Sequence, residues 1–343
     1  MKILHAIFCL NTGGAETMLV DIVNEQCKNN NVFLVIINNK YSEELLSCID
    51  KKVRVYKIQR PEGGRNPLKI LNLNYFVLKI NPDVIHCHNA NIAKLLLCRR
   101  KRLFLTVHDT MQSIKYYELY RKIFAISNAV KEYINKSKCF YNVKVIPNGI
   151  NINSVISKNN PLGYIFRIVQ VGRLYTKYKG QDILLKSVSI LVKKGIKNIS
   201  VDFIGEGDSK EYLQNLAKEL SIAEYVNFLG LKDREYIYSH LQEYDLLVQP
   251  SIYEGFGLTV AEAMAAKVPV LVSNIEGPME IIASGKYGSY FNVSDYNECA
   301  LKIGEIQEHY PQYLEIAQIG YTYVSGKYSI QETAKKYLIE YLG

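Results

Sequence analysis

Short apolar runs alternate with amphipathic segments through the first half of the chain. The strand-like runs cover residues 3–8, 32–38, 53–58, 83–88, 103–107, 122–127 and 143–146. Segments 15–27, 66–80, 90–99 and 128–136 carry apolar residues at helical spacing. Strands that alternate with helices in this way predict a mostly parallel, doubly wound α/β sheet.

The same alternation starts again in the second half. Strand-like runs cover residues 166–171, 200–204, 226–229, 245–249 and 269–273, and helical segments cover 181–194, 208–220 and 233–243. Residues 151–163, between the two halves, are polar and rich in turn formers, so we predict an interdomain linker there. A chain of 343 residues is long for one domain and suits two.

Composition narrows the class of protein. A hydrophobic content of 48% with 22% charged residues is typical of a globular protein with an ample core. The seven cysteines are scattered without a CxxC pair, which favours free thiols in a reducing compartment. The apolar start resembles a short signal peptide, but the glycine turn and helix that follow favour a first strand. With no apolar run near the ~18 residues of a membrane span, we expect a cytoplasmic protein.

The positive charge is concentrated in the first half. Residues 1–160 carry 24 Lys and Arg against 11 Asp and Glu, whereas the remainder carries 18 against 22. A basic first half indicates an anionic partner, such as a membrane face or a phosphorylated acceptor, although ordinary solubilising charge gives the same pattern. The run Arg99, Arg100, Lys101 and Arg102 is either a solvated helix end or a peripheral contact with anionic lipid. We find no nucleic-acid motif.

The most informative stretch is residues 251–264, SIYEGFGLTVAEAM. A buried strand, a Gly-Phe-Gly turn and a helix start follow one another there. Gly255 and Gly257 allow a ligand to approach main-chain N–H groups beside the positive end of a helix dipole, which suits phosphate. Glu254 and Glu262 are then placed to bind hydroxyls, and a ligand with both phosphates and hydroxyls is a sugar nucleotide. Alternatively, Thr259 and Glu262 form a capping box and Glu254 is a solvated loop residue.

Basic and glycine residues follow other predicted strands. Arg173 and Lys179 lie in a loop where a diphosphate could be clamped, although two basic residues in a loop are commonplace. Gly13 and Gly14 form the first strand–helix turn but lack the G-x-G-x-x-G spacing. Their lack of side chains would still let main-chain amides approach a phosphate or an acceptor.

Polar residues cluster at the predicted strand ends of the first half, where ligands bind in doubly wound sheets. His86 and His88 share one face of a strand end, but without a third ligand nearby we predict no metal site. His108, which with Asp109 follows the strand at 103–107, is the more interesting candidate. A histidine hydrogen-bonded at a loop start is the simpler alternative.

Several of these motifs resemble one family. EGFGLTVAEAMA is similar to the E-x7-E signature of the family 4 retaining glycosyltransferases, which have the GT-B architecture. The likeness extends to the GR…KG pattern at Arg173 and Lys179, the G-x-G turn at Gly205, the FLG strand end, the G-x-x-E-I-I helix start, the TVHD segment and the PNG segment at residues 147–149. It covers residues 167–282 strongly and the first half loosely. Asn151 stands where the family often has Asp.

The resemblance implies two Rossmann-like domains facing each other across a cleft. Residues 1–160 would bind the acceptor, residues 161–326 the nucleotide sugar, and residues 327–343 would form a helix that packs back on the first domain. The implied reaction is retaining transfer of a hexosyl or N-acetylhexosaminyl group from a UDP-sugar, or alternatively a GDP-sugar, to a glycan or lipid-linked acceptor. Bacterial capsule, O-antigen or exopolysaccharide synthesis is the implied setting.

The resemblance also assigns roles. Arg173 and Lys179 would neutralise the leaving diphosphate, Glu254 and Glu262 would bind sugar and ribose hydroxyls, and His108 would contact the reacting sugar. Because the sequence has no DxD motif, we expect no metal and no other cofactor. The predicted donor-binding residues are Gly13, Gly14, Gly172, Arg173, Lys179, Gly205, Glu206, Glu254, Gly255, Phe256, Gly257, Leu258 and Glu262. Alternatives are a GT-B epimerase or phosphorylase, and a non-catalytic sugar-nucleotide-binding subunit.

Overall fold

The computed structural model describes residues 1–11, 13–64, 66–98, 102–109, 113–138, 140–159 and 162–343. They form two compact units, Met1–Ile150 together with Ile330–Gly343, and Asn151–Ser329. Each unit has its own sheet, of seven strands in the first and six in the second, and the paired strands are parallel. The predicted doubly wound α/β class is therefore confirmed.

The sheet of the first unit has the order β3-β2-β1-β4-β5-β6-β7. Its strands are β1 (Lys2–Ile7), β2 (Asn31–Asn38), β3 (Arg54–Arg60), β4 (Val84–Cys87), β5 (Leu103–Val107), β6 (Lys122–Ala125) and β7 (Val143–Val145). Both β1 and β2 are buried along almost their whole length, as expected of strands covered on both faces. The order reverses beside β1, which has β2 on one side and β4 on the other.

The described residues before 150 form four α-helices. They are α1 (Gly14–Gln26), α2 (Glu43–Ser47), α3 (Pro67–Ile80) and α4 (Asn128–Ser137). The helix predicted at 90–99 is only a 3-10 segment, Ala90–Leu95. The side chain of Asn74 explains its early end, because its amide donates to the Leu95 carbonyl at 2.7 Å and its oxygen accepts from the Leu97 N–H at 2.7 Å. These two bonds take the place of helical ones.

The second unit repeats the same winding, with the order β10-β9-β8-β11-β12-β13. Its strands are β8 (Phe166–Val171), β9 (Ile199–Ile204), β10 (Val226–Gly230), β11 (Leu246–Gln249), β12 (Val270–Ser273) and β13 (Ser289–Phe291). Its helices are α5 (Thr176–Lys179), α6 (Gln181–Lys193), α7 (Lys210–Glu219), α8 (Arg234–His240), α9 (Leu258–Ala265), α10 (Glu276–Ile281), α11 (Tyr296–Glu308) and α12 (Tyr310–Lys327). The reversal falls beside β8, between β9 and β11. In such sheets the crevice at the carboxyl ends of the two central strands binds ligands.

The last helix, α13 (Ile330–Leu342), belongs to the first unit. Its Tyr337 and Tyr341 are buried in one cluster with Ile3, Phe104 and Phe124. The Thr333 hydroxyl donates to the Pro147 carbonyl at 3.0 Å. A Cβ on Gly149 would come within 2.7 Å of the backbone of α13, so the glycine lets the helix approach closely.

The segment predicted as a linker is partly built into the second unit. The Ile156 N–H donates to the Tyr238 carbonyl at 3.0 Å, and the Lys158 N–H donates to the Ala266 carbonyl at 2.8 Å. The Lys158 ammonium is buried and lies 3.0 Å from the Asp245 carboxylate, with the Tyr244 carbonyl at 2.9 Å. Two backbone hydrogen bonds and one buried ion pair therefore fix residues 156–158 to the second unit.

None of the described helices is both long and apolar enough to cross a bilayer. Of the basic cluster, Arg99, Arg100 and Lys101 lie outside the described residues. Arg102 donates to the Asn81 side chain and to the Pro82 carbonyl, each at 2.8 Å. The predicted membrane contact therefore stays a prediction, and Arg102 serves a structural purpose in the first unit.

We expect Lys158→Ala to destabilise the second unit by about 3–5 kcal/mol, because it leaves the Asp245 carboxylate buried without its cation. Equilibrium urea unfolding measures the loss. Lys302→Ala is the matched control, since it removes an exposed pair with Glu305 that we expect to contribute at most ~1 kcal/mol. A loss for Lys158→Ala no larger than for the control would contradict the account.

Candidate functional site

Close backbone approaches bring together the loops after β8 and β9. A Cβ on Gly205 would lie 2.1 Å from the Gly172 carbonyl oxygen, and one on Gly207 would lie 2.3 Å from the Leu174 carbonyl oxygen. Gly205 also has a φ of +143°, which side-chain-bearing residues rarely adopt. The predicted glycines Gly172 and Gly205 are therefore adjacent, and they hold two neighbouring loops in contact.

The loop after β11 is held against the loop after β8 in the same way. Gly180 has a φ of +61°, and a Cβ there would lie 2.0 Å from the Pro250 carbonyl oxygen. The Tyr178 carbonyl accepts from the Ile252 and Tyr253 N–H groups, at 2.9 and 3.1 Å. Residues 172–180 and 250–253 thus form one rigid wall at the carboxyl edge of the sheet, beside the reversal of strand order.

A chain of polar contacts runs along this wall. The Lys179 ammonium pairs with the Glu254 carboxylate. The Gln249 amide donates to the same carboxylate oxygen at 2.9 Å, and the Thr259 hydroxyl donates to the Gln249 carbonyl oxygen at 3.0 Å. Lys179 and Glu254 are both partly buried, with 29% and 19% of their side chains exposed. Glu254 is therefore an anchored group, and the interpretation of it as a solvated loop residue is wrong.

Helix α9 starts at Leu258, directly after the Gly-Phe-Gly turn. Its N-cap is Gly257, with a φ of +105° and no side-chain cap hydrogen bond. Thr259 lies inside the first turn and bonds to Gln249 instead, so the capping-box alternative is wrong. The predicted residues Gly255, Phe256, Gly257 and Leu258 form the approach to this helix end, where the N–H groups and the dipole favour an anion.

Glu262 lies within α9 and is buried, with 7% of its surface exposed. Its Oε1 lies 3.9 Å from Nε of Arg234, in α8. The Arg234 guanidinium also lies over the Tyr238 ring, at 4.7 Å from the centroid. Arg234 was not predicted as a site residue, because a basic residue at the start of a helix carries no signal of what it faces.

Arg173 and Lys179 line one pocket of about 330 Å³, together with Tyr175, Tyr178 and Asp208. Arg173 is 70% exposed and lies 3.5 Å from the equally exposed Asp208 carboxylate. The backbone at both cations is fixed, because Gln181 donates to the Arg173 carbonyl and Gln170 to the Lys179 carbonyl, each at 3.0 Å. The pocket therefore offers two cations and two aromatic rings on a rigid frame.

Glu206, also predicted to bind the donor, forms an exposed pair with Lys210 at 2.8 Å. Its carbonyl accepts from the Leu174 N–H at 3.0 Å. The structure thus gives the backbone of Glu206 a positioning role in the loop contact described above.

The predicted glycine pair of the first unit has a different environment. Gly13 is the N-cap of α1, with extended backbone, and Gly14 is the first residue of the helix. A Cβ on Gly13 would lie 2.6 Å from the Glu16 carboxylate. Burial raises the pKa of Glu16. The wall beside the two glycines therefore carries a carboxyl group, which sequence analysis did not anticipate.

The partly buried His108, directly after β5, lies beside three buried histidines: His5 within β1, His86 within β4 and His88 directly after β4. His88 Nδ1 lies 3.1 Å from His108 Nε2, and His5 Nδ1 lies 3.1 Å from His88 Nε2. His86 bonds to the Tyr341 hydroxyl at 2.6 Å and to the Thr106 hydroxyl at 2.7 Å. Burial lowers the pKa of His5 and of His108 to about 4 and also lowers those of His86 and His88.

Three of these histidines have the geometry of a possible metal site. His5, the register partner of His86 on β1, supplies the third nitrogen that the sequence seemed to lack. One ligand atom from each of His5, His86 and His88 lies within 4.8 Å of the others. However, both ring nitrogens of all three are already hydrogen-bonded. A metal would have to replace these bonds, so the group fits a hydrogen-bonded cluster better.

Comparison with known proteins identifies the family. The model described as "Glycosyl transferases group 1" matches residues 157–322, and that described as "Glycosyltransferase Family 4" matches residues 12–154. The chain belongs to this family of glycosyltransferases.

Among its relatives, "Protein CapJ" of Staphylococcus aureus is 34% identical over 43% of this chain and 38% of its own length. The uncharacterized glycosyltransferase MJ1607 of Methanocaldococcus jannaschii is 30% identical over 58% of this chain and 60% of its own length. The matches thus span less than two thirds of either relative.

The solved structure of Anabaena Alr3699/HepE in complex with UDP and glucose has the same fold. Its TM-score is 0.81 at 20% sequence identity, covering 99% of this chain and 98% of that one. The fold class is therefore GT-B, as the motifs implied.

We expect Gly205→Ala to destabilise the second unit by about 3 kcal/mol or more, because the new methyl group would overlap the Gly172 carbonyl. The control is Gly195→Ala, which has a positive φ of +92° but no neighbour within 4 Å. The loss of stability in Gly195→Ala therefore measures backbone strain alone, which we expect to be about 1 kcal/mol. Thermal or urea unfolding of both variants checks this, and equal losses would show that the loop contact is unimportant.

Proposed function

We propose that the protein is a retaining glycosyltransferase that moves a hexosyl or N-acetylhexosaminyl group from a nucleoside-diphosphate sugar, preferably a UDP-sugar. The observation that carries the proposal is the ion pair between Lys179 and Glu254. It places a cation for phosphate and a carboxylate for hydroxyls side by side, at the edge of the sheet where the strand order reverses.

The leaving diphosphate needs positive charge that is in place before the sugar bond breaks. Lys179 has three donors and shares only part of them with Glu254, so its ammonium can also bind a phosphate oxygen. Arg173, in the same pocket, supplies a planar guanidinium that binds two phosphate oxygens at once. Since the sequence has no DxD motif, we infer that these two cations serve where other enzymes use a metal.

Glu254 and Glu262 would bind different neutral parts of the donor. Glu254 is fixed by Lys179 and Gln249 and would accept hydrogen bonds from hydroxyls of the transferred sugar. Glu262, inside α9 and near Arg234, would accept them from the ribose. The start of α9 at Gly257 and Leu258 would bind a phosphate through main-chain N–H groups. The two aromatic rings of Tyr175 and Tyr178 add an apolar surface to the pocket.

We infer that the first unit binds a glycan or a lipid-linked glycan, because residues 1–160 are strongly basic and a basic surface attracts an anionic partner. His108 would contact the transferred sugar. The proposed setting, bacterial capsule, O-antigen or exopolysaccharide synthesis, rests on the motif resemblance, and the HepE complex with UDP supports UDP as the nucleotide.

We expect Arg173→Ala and Lys179→Ala each to lower kcat by about a hundredfold, which is roughly 3 kcal/mol of barrier. Lys177→Ala, in the same short helix as Lys179, is the control and should retain activity. The measurement is UDP release from UDP-sugars, with methanol as a surrogate acceptor. A methyl glycoside with the anomeric configuration of the donor supports the retaining assignment.

Other outcomes contradict the proposal. An inverted methyl glycoside would exclude retention. Isomerisation of the donor without any transfer would point to an epimerase, and nucleotide binding without any turnover would point to a non-catalytic subunit. Full activity of both Arg173→Ala and Lys179→Ala would show that the diphosphate is not bound in this pocket.

A further inference from the structure

A line of hydrogen bonds connects His108 to the interior of the first unit. His108 Nε2 and His88 Nδ1 are 3.1 Å apart, and His88 Nε2 and His5 Nδ1 are 3.1 Å apart. His5 Nε2 lies 2.8 Å from the Oε1 oxygen of Gln26, in α1. The three rings stack, with neighbouring centroids 5.4 Å apart. Three strands and one helix therefore contribute to a single line of contacts.

The bonds in this line depend on one another. A neutral imidazole has one N–H and one bare nitrogen, so donation from one nitrogen makes the other an acceptor. The carbonyl oxygen of Gln26 can only accept, so His5 donates from Nε2 and accepts at Nδ1. His88 must then donate from Nε2 and accept at Nδ1. The same argument gives His108 its proton on Nε2.

At the outer end of this line of hydrogen bonds, Nδ1 of His108 carries no proton. His108 Nδ1 is buried and has no hydrogen-bond partner among the described residues. Burial keeps the pKa of His108 low, although the nearby Asp109 carboxylate raises it slightly, so the ring is neutral at pH 7. A neutral ring with its proton on Nε2 leaves a lone pair on Nδ1. Only a donor, such as a hydroxyl, can satisfy that nitrogen, whereas a phosphate oxygen cannot.

We propose that His88 and His5 are positioning residues that hold His108 in the Nε2–H tautomer, so that its Nδ1 accepts a hydrogen bond from a sugar hydroxyl. The role of the sugar rests on the proposed function. The tautomer itself follows from the contacts of the first unit.

Two variants of His88 test whether the line of hydrogen bonds sets the tautomer of His108. His88→Leu removes both bonds, so His108 is free to carry its proton on either nitrogen. His88→Gln restores them, because its amide oxygen can accept from His108 and its amide nitrogen can donate to His5. We expect His88→Leu to lower kcat at least about tenfold with little change in KM, since a wrong tautomer impairs catalysis more than binding. His88→Gln should recover most of the loss.

The direct readout is the protonation of each ring nitrogen, measured by ¹⁵N NMR on the full chain with labelled histidine. The chain has only six histidines, so His→Gln variants assign the signals. In the wild type we expect His108, His88 and His5 to be neutral with the proton on Nε2. In His88→Leu the His108 signals should move toward a mixture of tautomers, and in His88→Gln they should not. His309→Gln, in the second unit, is the control and should leave the cluster unchanged.

A proton on Nδ1 of His108 in the wild type would overturn the inference, as would an unchanged His108 tautomer in His88→Leu. Stoichiometric zinc in the purified protein, lost in His5→Gln, would also overturn it, because a metal would occupy the nitrogens that form the line. The NMR measurement needs no substrate. Failure to use any sugar nucleotide would therefore refute the proposed function while leaving the tautomer assignment intact.

Discussion

The close approach of backbone to backbone at the carboxyl edge of the second sheet is the constraint on which the proposed donor site depends. Gly180 against Pro250, and Gly205 against Gly172, leave no room for a Cβ. These contacts fix the loops after β8, β9 and β11 relative to one another, beside the reversal of strand order. Because these loops are fixed, Arg173 and Lys179 line the same pocket, and Glu254 lies close enough to pair with Lys179. The glycines thus fix the backbone of the loops, and the fixed backbone determines where the charged side chains lie.

Three buried or partly buried carboxylates of the second unit each lie beside a cation. Asp245 is fully buried with Lys158, Glu254 is partly buried with Lys179, and Glu262 lies near Arg234. The first pair is closed to solvent and stabilises the fold. The pair of Lys179 and Glu254 is open to the pocket, so the Lys179 ammonium can bind a phosphate while it stays paired with the carboxylate. In the first unit, burial lowers the pKa values of the clustered histidines. Hydrogen bonds satisfy both ring nitrogens of His5, His86 and His88.

Sequence patterns predicted the glycine loops and every described strand except the short β13, because both features are local: a buried parallel strand must be apolar, and a tight turn needs glycine. They also placed Arg173, Lys179 and Glu254 correctly at the carboxyl edge of one sheet. They could not predict partners that are distant in sequence, such as Arg234 for Glu262 or His5 for His88. The helix expected at 90–99 failed because Asn74, far along the chain, binds its end. Composition also could not show that Lys158, within the predicted linker at 151–163, has a buried partner in Asp245.

The most direct test of the central claim is thermal unfolding with UDP, GDP, ADP, TDP and CMP in turn, for the wild type and for Glu262→Ala. Each shift is taken relative to the same protein without nucleotide. A ligand at a hundred times its Kd stabilises the folded protein by about 2.7 kcal/mol, which raises Tm by a few degrees. The account predicts that UDP raises Tm in the wild type and raises it less in Glu262→Ala. No shift with any nucleotide would contradict a sugar-nucleotide site at this edge of the sheet.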